Sequence, residues 1–342
     1  MKVRCFSVKP RKAEKMRKAL MDLDALERNY PVITEKDQVI FPVHDDVDPG
    51  DLIGTGAVIR VLERDLSPRK KRPRSYKELI GLPSELMELL PSSFDLIGDI
   101  AIMKLPPELM AYRNEIGKAL RDFNKNIRTV TLDRGVTGEF RVRDLEVMAG
   151  DDDLETTHVE NNLRFKLDPT RVYFSPRLAT ERMRIAEIVE DEMVLDMFSG
   201  VGPFSLNIAS RGKAKKIVGI DLNPDSIRYF NLNITLNSLE ERIETHLGDA
   251  RDISQTLGPF DRIIMNLPHS SLDFLDVALG SMEAGRIHIY RILEKDRFME
   301  DIHKMMAIAQ GFGRSIEITG MREVHNYSPD SSMMVFDVNV LS

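Results

Sequence analysis

Residues 193–204 read MVLDMFSGVGPF, an apolar run of strand length that breaks into a glycine turn. Gly200 and Gly202 let the backbone swing sharply from strand to helix and let a ligand approach the main chain. Alone, such a G-x-G serves equally as a tight turn with no ligand. Downstream, KKIVGIDL, DRIIMNLP and RIHIYRIL repeat the pattern, each apolar run ending in a polar or Gly/Pro turn before a helix-like stretch. Strands alternating with helices predict βαβ units, right-handed crossovers and a parallel sheet. A last run, SSMMVFDVNV, predicts a closing strand. The expected fold over 166–342 is α/β, with a parallel-rich, doubly wound sheet.

The chain of 342 residues is too long for one small module. Residues 1–65 read as a small α+β unit, with strand-like MKVRCFSV, a helix over 13–26 and a strand pair in VITEKDQVIFPV. Residues 66–78 read as a linker, because SPRKKRPRS sets two prolines in a charge run. Residues 79–165 read as a second α+β unit. Within 76–165, the sequence predicts helices over 76–90 and 107–123 and strands in FDLIGDIAIMKL, IRTVTL and GEFRVRDLEVMAG.

With 42% hydrophobic and 30% charged residues, the chain has enough apolar material for a core and enough charge to stay soluble, so wholesale disorder is excluded. No window approaches eighteen apolar residues and the N-terminus lacks an apolar h-region, so the expected location is the cytoplasm, with no membrane partner. The single cysteine, Cys5, and seven scattered histidines predict no disulfide and no metal site. A net charge of −7 argues against a nucleic-acid partner, yet its distribution is uneven. RKKRPRSYK, residues 69–77, carries six positive side chains, whereas Asp151, Asp152, Asp153 and Glu155 form an acidic patch. The basic run suits either a solvated linker or phosphate contact.

In the glycine turn Pro203 and Phe204 follow Gly202 directly, so the third glycine of a dinucleotide fingerprint is missing and a pyrophosphate site is disfavoured. Asp221 ends the second strand, where a carboxylate can accept from two ribose hydroxyls. Asp249, after the third strand, either accepts from an adenine amine or caps the next helix. A nucleoside site without a pyrophosphate site points to S-adenosylmethionine, and so to a class I, Rossmann-like methyltransferase domain. The fourth strand ends in Asn266-Leu267-Pro268, a pattern that resembles the catalytic loop of methyltransferases acting on planar nitrogen. There, acceptors hold the nitrogen in line with the methyl group. His269 follows, either to stack on a base or to sit at the start of the next helix.

FRVRDLE (140–146), VYFSPRLATER (172–182), DMFSGVGPF, IDLNP and NLP, in this order, resemble the archaeal and eukaryotic tRNA (guanine-37-N1)-methyltransferase family. The resemblance runs over most of the chain and implies methyl transfer from S-adenosylmethionine to N1 of the guanosine after the anticodon. It implies Glu181 as the general base for the N1 proton and Arg141 as the cation stabilising O6. Read from spacing alone, Glu181 is an ordinary first-turn glutamate and Tyr173 a core aromatic. Arg143 is expected to share a strand face with Arg141. The resemblance further implies Tyr173 for holding the target base, Asn266 for orienting the guanine edge, and Pro268 for fixing the loop. For the cofactor it implies Arg182, Phe198, Gly200, Gly202, Asp221, Leu222, Asp249, Ala250 and Asn266. Arg177 and Arg182 are candidates for phosphate or carboxylate contacts. The two small modules are implied to bind RNA, the first through Arg11, Lys12, Lys15, Arg17 and Lys18 on its helix. A monomer is expected, because the site is complete in one chain. The competing expectations are wyosine-pathway chemistry on the same nucleotide: transfer of the cofactor's aminocarboxypropyl arm, or an additional C7 methylation of the tricyclic precursor.

Overall fold

The computed structural model describes residues 1–69, 73–294, 297–328 and 330–341. Part of the basic run, residues 70–72, therefore lies outside the described residues. The chain forms two compact units, Met1–Arg74 and Ser75–Ser342.

In the first unit, strands Ile33–Glu35, Gln38–Pro42, Lys2–Val8 and Arg60–Asp65 form one sheet in that order, with every neighbouring pair antiparallel. Its helix runs over Pro10–Asp22 instead of 13–26. Pro10 starts it early, because proline's fixed φ suits the first helical turn. It ends before Asp24, which takes a left-handed φ of 47°. Met16 and Leu20 bury one face against Phe6, Val8 and Phe41, while Arg11, Lys15, Arg17 and Lys18 lie exposed and Lys12 half-buried.

The second unit opens with a correction. The helix expected over 76–90 is a 3₁₀ turn, Tyr76–Leu79, and a single turn, Ser84–Glu88, because Pro83 cannot continue a helix and disfavours helical backbone in the residue before it. A four-stranded sheet follows in the order Asp95–Ile97, Ile100–Met103, Thr129–Thr137, Val142–Ala149, covered by helix Arg113–Phe123 through Ile116, Ala119 and Leu120. The hairpin Thr156–Glu160 and Leu163–Leu167 sends Phe165 and Leu167 into the core that also holds Phe174, Phe204 and Phe230.

The largest sheet has seven strands, ordered Ile243–Leu247, Lys216–Asp221, Met193–Asp196, Arg262–Met265, Gly285–Glu294, Ser331–Leu341, Ser315–Asn326. The first five are parallel and the last two antiparallel to their neighbours. Ser315–Asn326 gives no strand signal in the sequence, because it is an edge strand whose residues are mostly exposed and lack a clean apolar alternation. The chain leaves Met193–Asp196 in one direction and later returns on its other side at Arg262–Met265, so the topological switch lies between these two strands. Among the described residues no helix is long and apolar enough to cross a membrane.

Phe230, on helix Pro224–Leu236, lies over both Gly202 and Gly219, and a Cβ at either glycine would overlap its ring. Gly219→Ala is therefore expected to lower stability by about 1–3 kcal/mol through overpacking, seen as a lower urea midpoint. An unchanged midpoint would mean that the ring moves aside freely.

Candidate active site

The carboxyl ends of the two switch-point strands place Asp196 and Asn266 close together, since Asp196 pairs in register with Ile264. Gly200 and Gly202 take left-handed φ values of 55° and 85°, which glycine adopts freely. A side chain at Gly200 would meet only the Tyr173 carbonyl, 3.7 Å away. The Gly200 amide donates to Asp221 Oδ2 at 2.7 Å and the Asn223 amide to Oδ1 at 2.9 Å. Burial nonetheless pushes the Asp221 carboxyl up. Leu222 is exposed beside it, and Phe198 packs edge-on against Phe274 at 4.9 Å. Asp249 is the N-cap of helix Ala250–Leu257, accepting from the Arg251 amide at 2.8 Å, and Ala250 is buried behind it.

Two acceptors at this edge have no partner among the described residues: Asp196 Oδ1 and Asn266 Oδ1 are both buried and unbonded. A buried acceptor without a donor is disfavoured, so the edge is built to receive a donor-bearing ligand. Together with the open glycine turn and the Asp221 carboxylate, this fits the nucleoside and amino-acid ends of S-adenosylmethionine. Residues 266–269 are fixed from behind. Arg291 Nη1 donates to the carbonyls of Pro268 and His269, each at 3.2 Å, and the Ser271 hydroxyl donates to Leu267 O at 2.7 Å. His269 is exposed and precedes the 3₁₀ turn Ser271–Phe274 without capping it. Partial burial, then the charges of Arg141 and Arg291, lower its pKa and keep the ring neutral.

The arginines divide. Arg141 is not on the strand with Arg143: it sits before Val142–Ala149 in the connecting turn, at a left-handed φ of 51°. There it is exposed, close enough to depress His269, and its guanidinium makes no ion pair among the described residues. Arg143 instead bridges Asp95 at 2.9 Å and Asp133 at 3.3 Å, a structural pairing. Arg177 also holds Asp95, at 2.8 Å. Arg182 is buried, donating to Glu160 Oε2 at 2.6 Å and Ser175 O at 2.7 Å, with its guanidinium over the Phe174 ring. Tyr173 is no core aromatic: it is 46% exposed beside a buried Phe174.

Glu181 does lie in the first turn of helix Ala179–Ile188, and its carboxylate is buried. Arg184 grips it with Nε to Oε2 at 2.9 Å and Nη2 to Oε1 at 2.5 Å, and the Tyr290 hydroxyl donates to Oε1 at 2.8 Å. Arg184 also bridges Asp337 at 3.1 Å, and Asp337 meets His288 Nδ1 at 2.6 Å. Burial opposes ionisation of Asp337, but His288 and Arg184 outweigh it and hold its carboxyl at about 2. Arg262 donates to His288 Nε2 at 2.6 Å and pairs with Glu192 at 2.5 Å. The sequence reading missed Arg184, Tyr290 and Asp337. Arg184, three residues after Glu181 on a helix, was visible by spacing; the cross-sheet partners carried no such signal.

Asp196 gives a test of this edge. Burial, reinforced by the Asp221 charge and opposed by the Ser205 bond, pushes its carboxyl up to about 7. A pKa raised on folding stabilises the native state below the unfolded value, about 4, and that contribution is lost as pH rises through about 7. Wild-type stability should therefore fall relative to Asp196→Asn between pH 4 and 8 in urea unfolding of the ligand-free protein. A difference that stays constant over this range would place the Asp196 proton elsewhere.

The TRM5/TYW2 methyltransferase domain matches residues 156–317, the TYW2 N-terminal domain 76–153, and the tRNA methyltransferase 5 N-terminal domain 5–51. The tRNA (guanine(37)-N(1))-methyltransferase Trm5b of Pyrococcus abyssi is 38% identical over 96% of this chain and 97% of its own. A solved structure described as the complex of aTrm5 and tRNALeu superposes with a TM-score of 0.83 at 33% identity, covering 98% of this chain and 99% of that one. The tRNA(Phe) (4-demethylwyosine(37)-C(7)) aminocarboxypropyltransferase of Pyrococcus horikoshii is 33% identical over 79% of this chain and 97% of its own. With its glycine turn, its strand-end acids and a full-length relative of this kind, the chain belongs to the TRM5/TYW2 methyltransferase family.

Proposed function

We infer that this protein is an S-adenosylmethionine-dependent tRNA (guanine(37)-N1)-methyltransferase. The observation that carries the reading is the near full-length likeness to Trm5b, which takes in the N-terminal unit as well as the methyltransferase domain. The aminocarboxypropyltransferase relative matches only 79% of the chain. When bound, S-adenosylmethionine supplies an electrophilic methyl carbon on its sulfonium.

The residues divide the remaining work. Gly200, Gly202, Phe198, Asp221, Leu222, Asp249 and Ala250 are proposed to hold the nucleoside. Asn266 Oδ1, buried without a partner, is suited to a donor on the guanine edge, and Pro268 keeps the loop in place. Placing the ring nitrogen in line makes the displacement effectively intramolecular. Tyr173, exposed and with its carbonyl beside Gly200, is proposed to stack on the flipped-out base. The N1 proton passes to Glu181. Its carboxylate has about four lone-pair sites and spends three on Arg184 and Tyr290, which leaves one on Oε2. Arg141, which makes no ion pair among the described residues, stabilises the charge that moves to O6. Arg182 is proposed to act through Glu160 and Ser175, shaping the cofactor side of the site.

We further propose that residues 1–65 recognise tRNA, 66–78 form a basic linker, 79–165 position the RNA, and 166–342 form the catalytic domain. The protein acts as a cytoplasmic monomer in this reading. Wild-type enzyme should place labelled methyl on N1 of guanosine in transcripts with G, and not A, at the modified position, identified by nucleoside mass spectrometry. Glu181→Gln should slow single-turnover transfer by about 10²–10⁴-fold, and Arg141→Ala by about 10²–10³-fold. An aminocarboxypropyl adduct, or methyl only on a tricyclic precursor, would move the protein to wyosine chemistry.

A further inference from the structure

The turn that joins strands Ser315–Asn326 and Ser331–Leu341 begins with Tyr327, whose amide donates to Ser331 O at 2.9 Å. Both strands meet this turn at the carboxyl edge of the large sheet, since Ser331 pairs with Glu294 and Ser332 with Asn326. The Tyr327 ring is 51% exposed and stands 6.1 Å from the His269 ring, with the two planes at 76°. Neither ring serves the core. Two exposed aromatic rings near a right angle form a corner that accepts one planar heterocycle, flat on one wall with its edge toward the other. The His269 wall is anchored through its backbone, because Arg291 pins the Pro268 and His269 carbonyls and is itself held by Asp301 at 2.5 Å. The Arg141 charge is near enough to lower the His269 pKa.

We propose that the His269–Tyr327 corner binds the nucleobase next to the methylated guanosine, with Tyr327 as the stacking face. The inference rests on the reading of this chain as a tRNA methyltransferase. Its physical basis is the vacancy that base flipping creates: extruding one base strips its neighbours of a stacking partner, and an aromatic face restores that contact without regard to base identity. The corner begins one residue beyond Pro268, so it adjoins the loop assigned to the target base and does not coincide with it.

The test uses full-length wild-type protein, Tyr327→Ala, Tyr327→Phe and His269→Ala, with tRNA transcripts carrying 2-aminopurine immediately before or after the target guanosine. Wild type and Tyr327→Phe should quench the probe at one of these two positions on binding. Tyr327→Ala should leave that probe bright and weaken tRNA binding by about five- to a hundredfold. The factor should be the same at low and high salt, because stacking releases no counterions. His269→Ala should give a partial loss at the same position. Quenching and affinity unchanged in Tyr327→Ala, or a loss that shrinks with added salt, would overturn the proposal. Methyl transfer by the same preparations is scored separately. If the wild type quenches but places no methyl on N1, the enzymatic reading falls and the corner stands.

Discussion

A chain of buried and half-buried polar side chains crosses the large sheet and ties helix Ala179–Ile188 to it: Glu192, Arg262, His288, Asp337, Arg184 and Glu181, ending on the Tyr290 hydroxyl. Arg262 and His288 are essentially without solvent contact. Charges so deep persist only when each meets an opposite charge or a hydrogen bond, since removing one partner strands the next. The consequence is geometric. Helix Ala179–Ile188 is tied to strands Gly285–Glu294 and Ser331–Leu341 through side chains, so the Glu181 carboxylate is held in place before any substrate arrives.

The opposite arrangement holds at the carboxyl edge. There the glycine turn is open, and Asp196 and Asn266 each keep a buried oxygen without a donor. The Glu181 carboxylate thus keeps one acceptor site open on Oε2, and the carboxyl edge keeps two buried acceptor oxygens without a donor among the described residues. A site of this kind gains from ligand binding what its empty form forgoes in hydrogen bonding, and the ionisation of Asp196 follows from that incompleteness.

How much of this was legible in the sequence depended on whether the determinant was local. The apolar runs at 193–197, 215–222, 261–268 and 286–293 announced the parallel sheet, because strands buried on both faces read as continuous hydrophobic segments. The placement of Gly200, Gly202, Asp221 and Asn266 at one sheet edge was equally legible, since each lies at or just beyond the end of a recognisable strand. Side-chain partners were not. Arg177 and Arg143 both turn to Asp95, many residues away, and Arg182 to Glu160; an arginine in a motif does not say which carboxylate will claim it. Arg141 left the expected strand because the chain turns at Gly138, which takes a left-handed φ of 70°. Tyr327 gave no signal because it lies in a polar turn between strands, one of which was itself unforeseen.

The final hairpin carries a broader implication. Its strands run for 12 and 11 residues, against 4 to 6 in the first four strands of the parallel core. They reach past the carboxyl ends of those four strands, flanked as far as the turn by Gly285–Glu294, whose Glu294 pairs with Ser331. At about 3.3 Å per residue, adding two residues to each strand would carry the tip outward by roughly 7 Å while preserving which face each side chain occupies. Hairpin length is therefore an adjustable ruler: the reach of this turn can be lengthened or shortened in evolution or by design without disturbing the glycine turn or the strand-end acids.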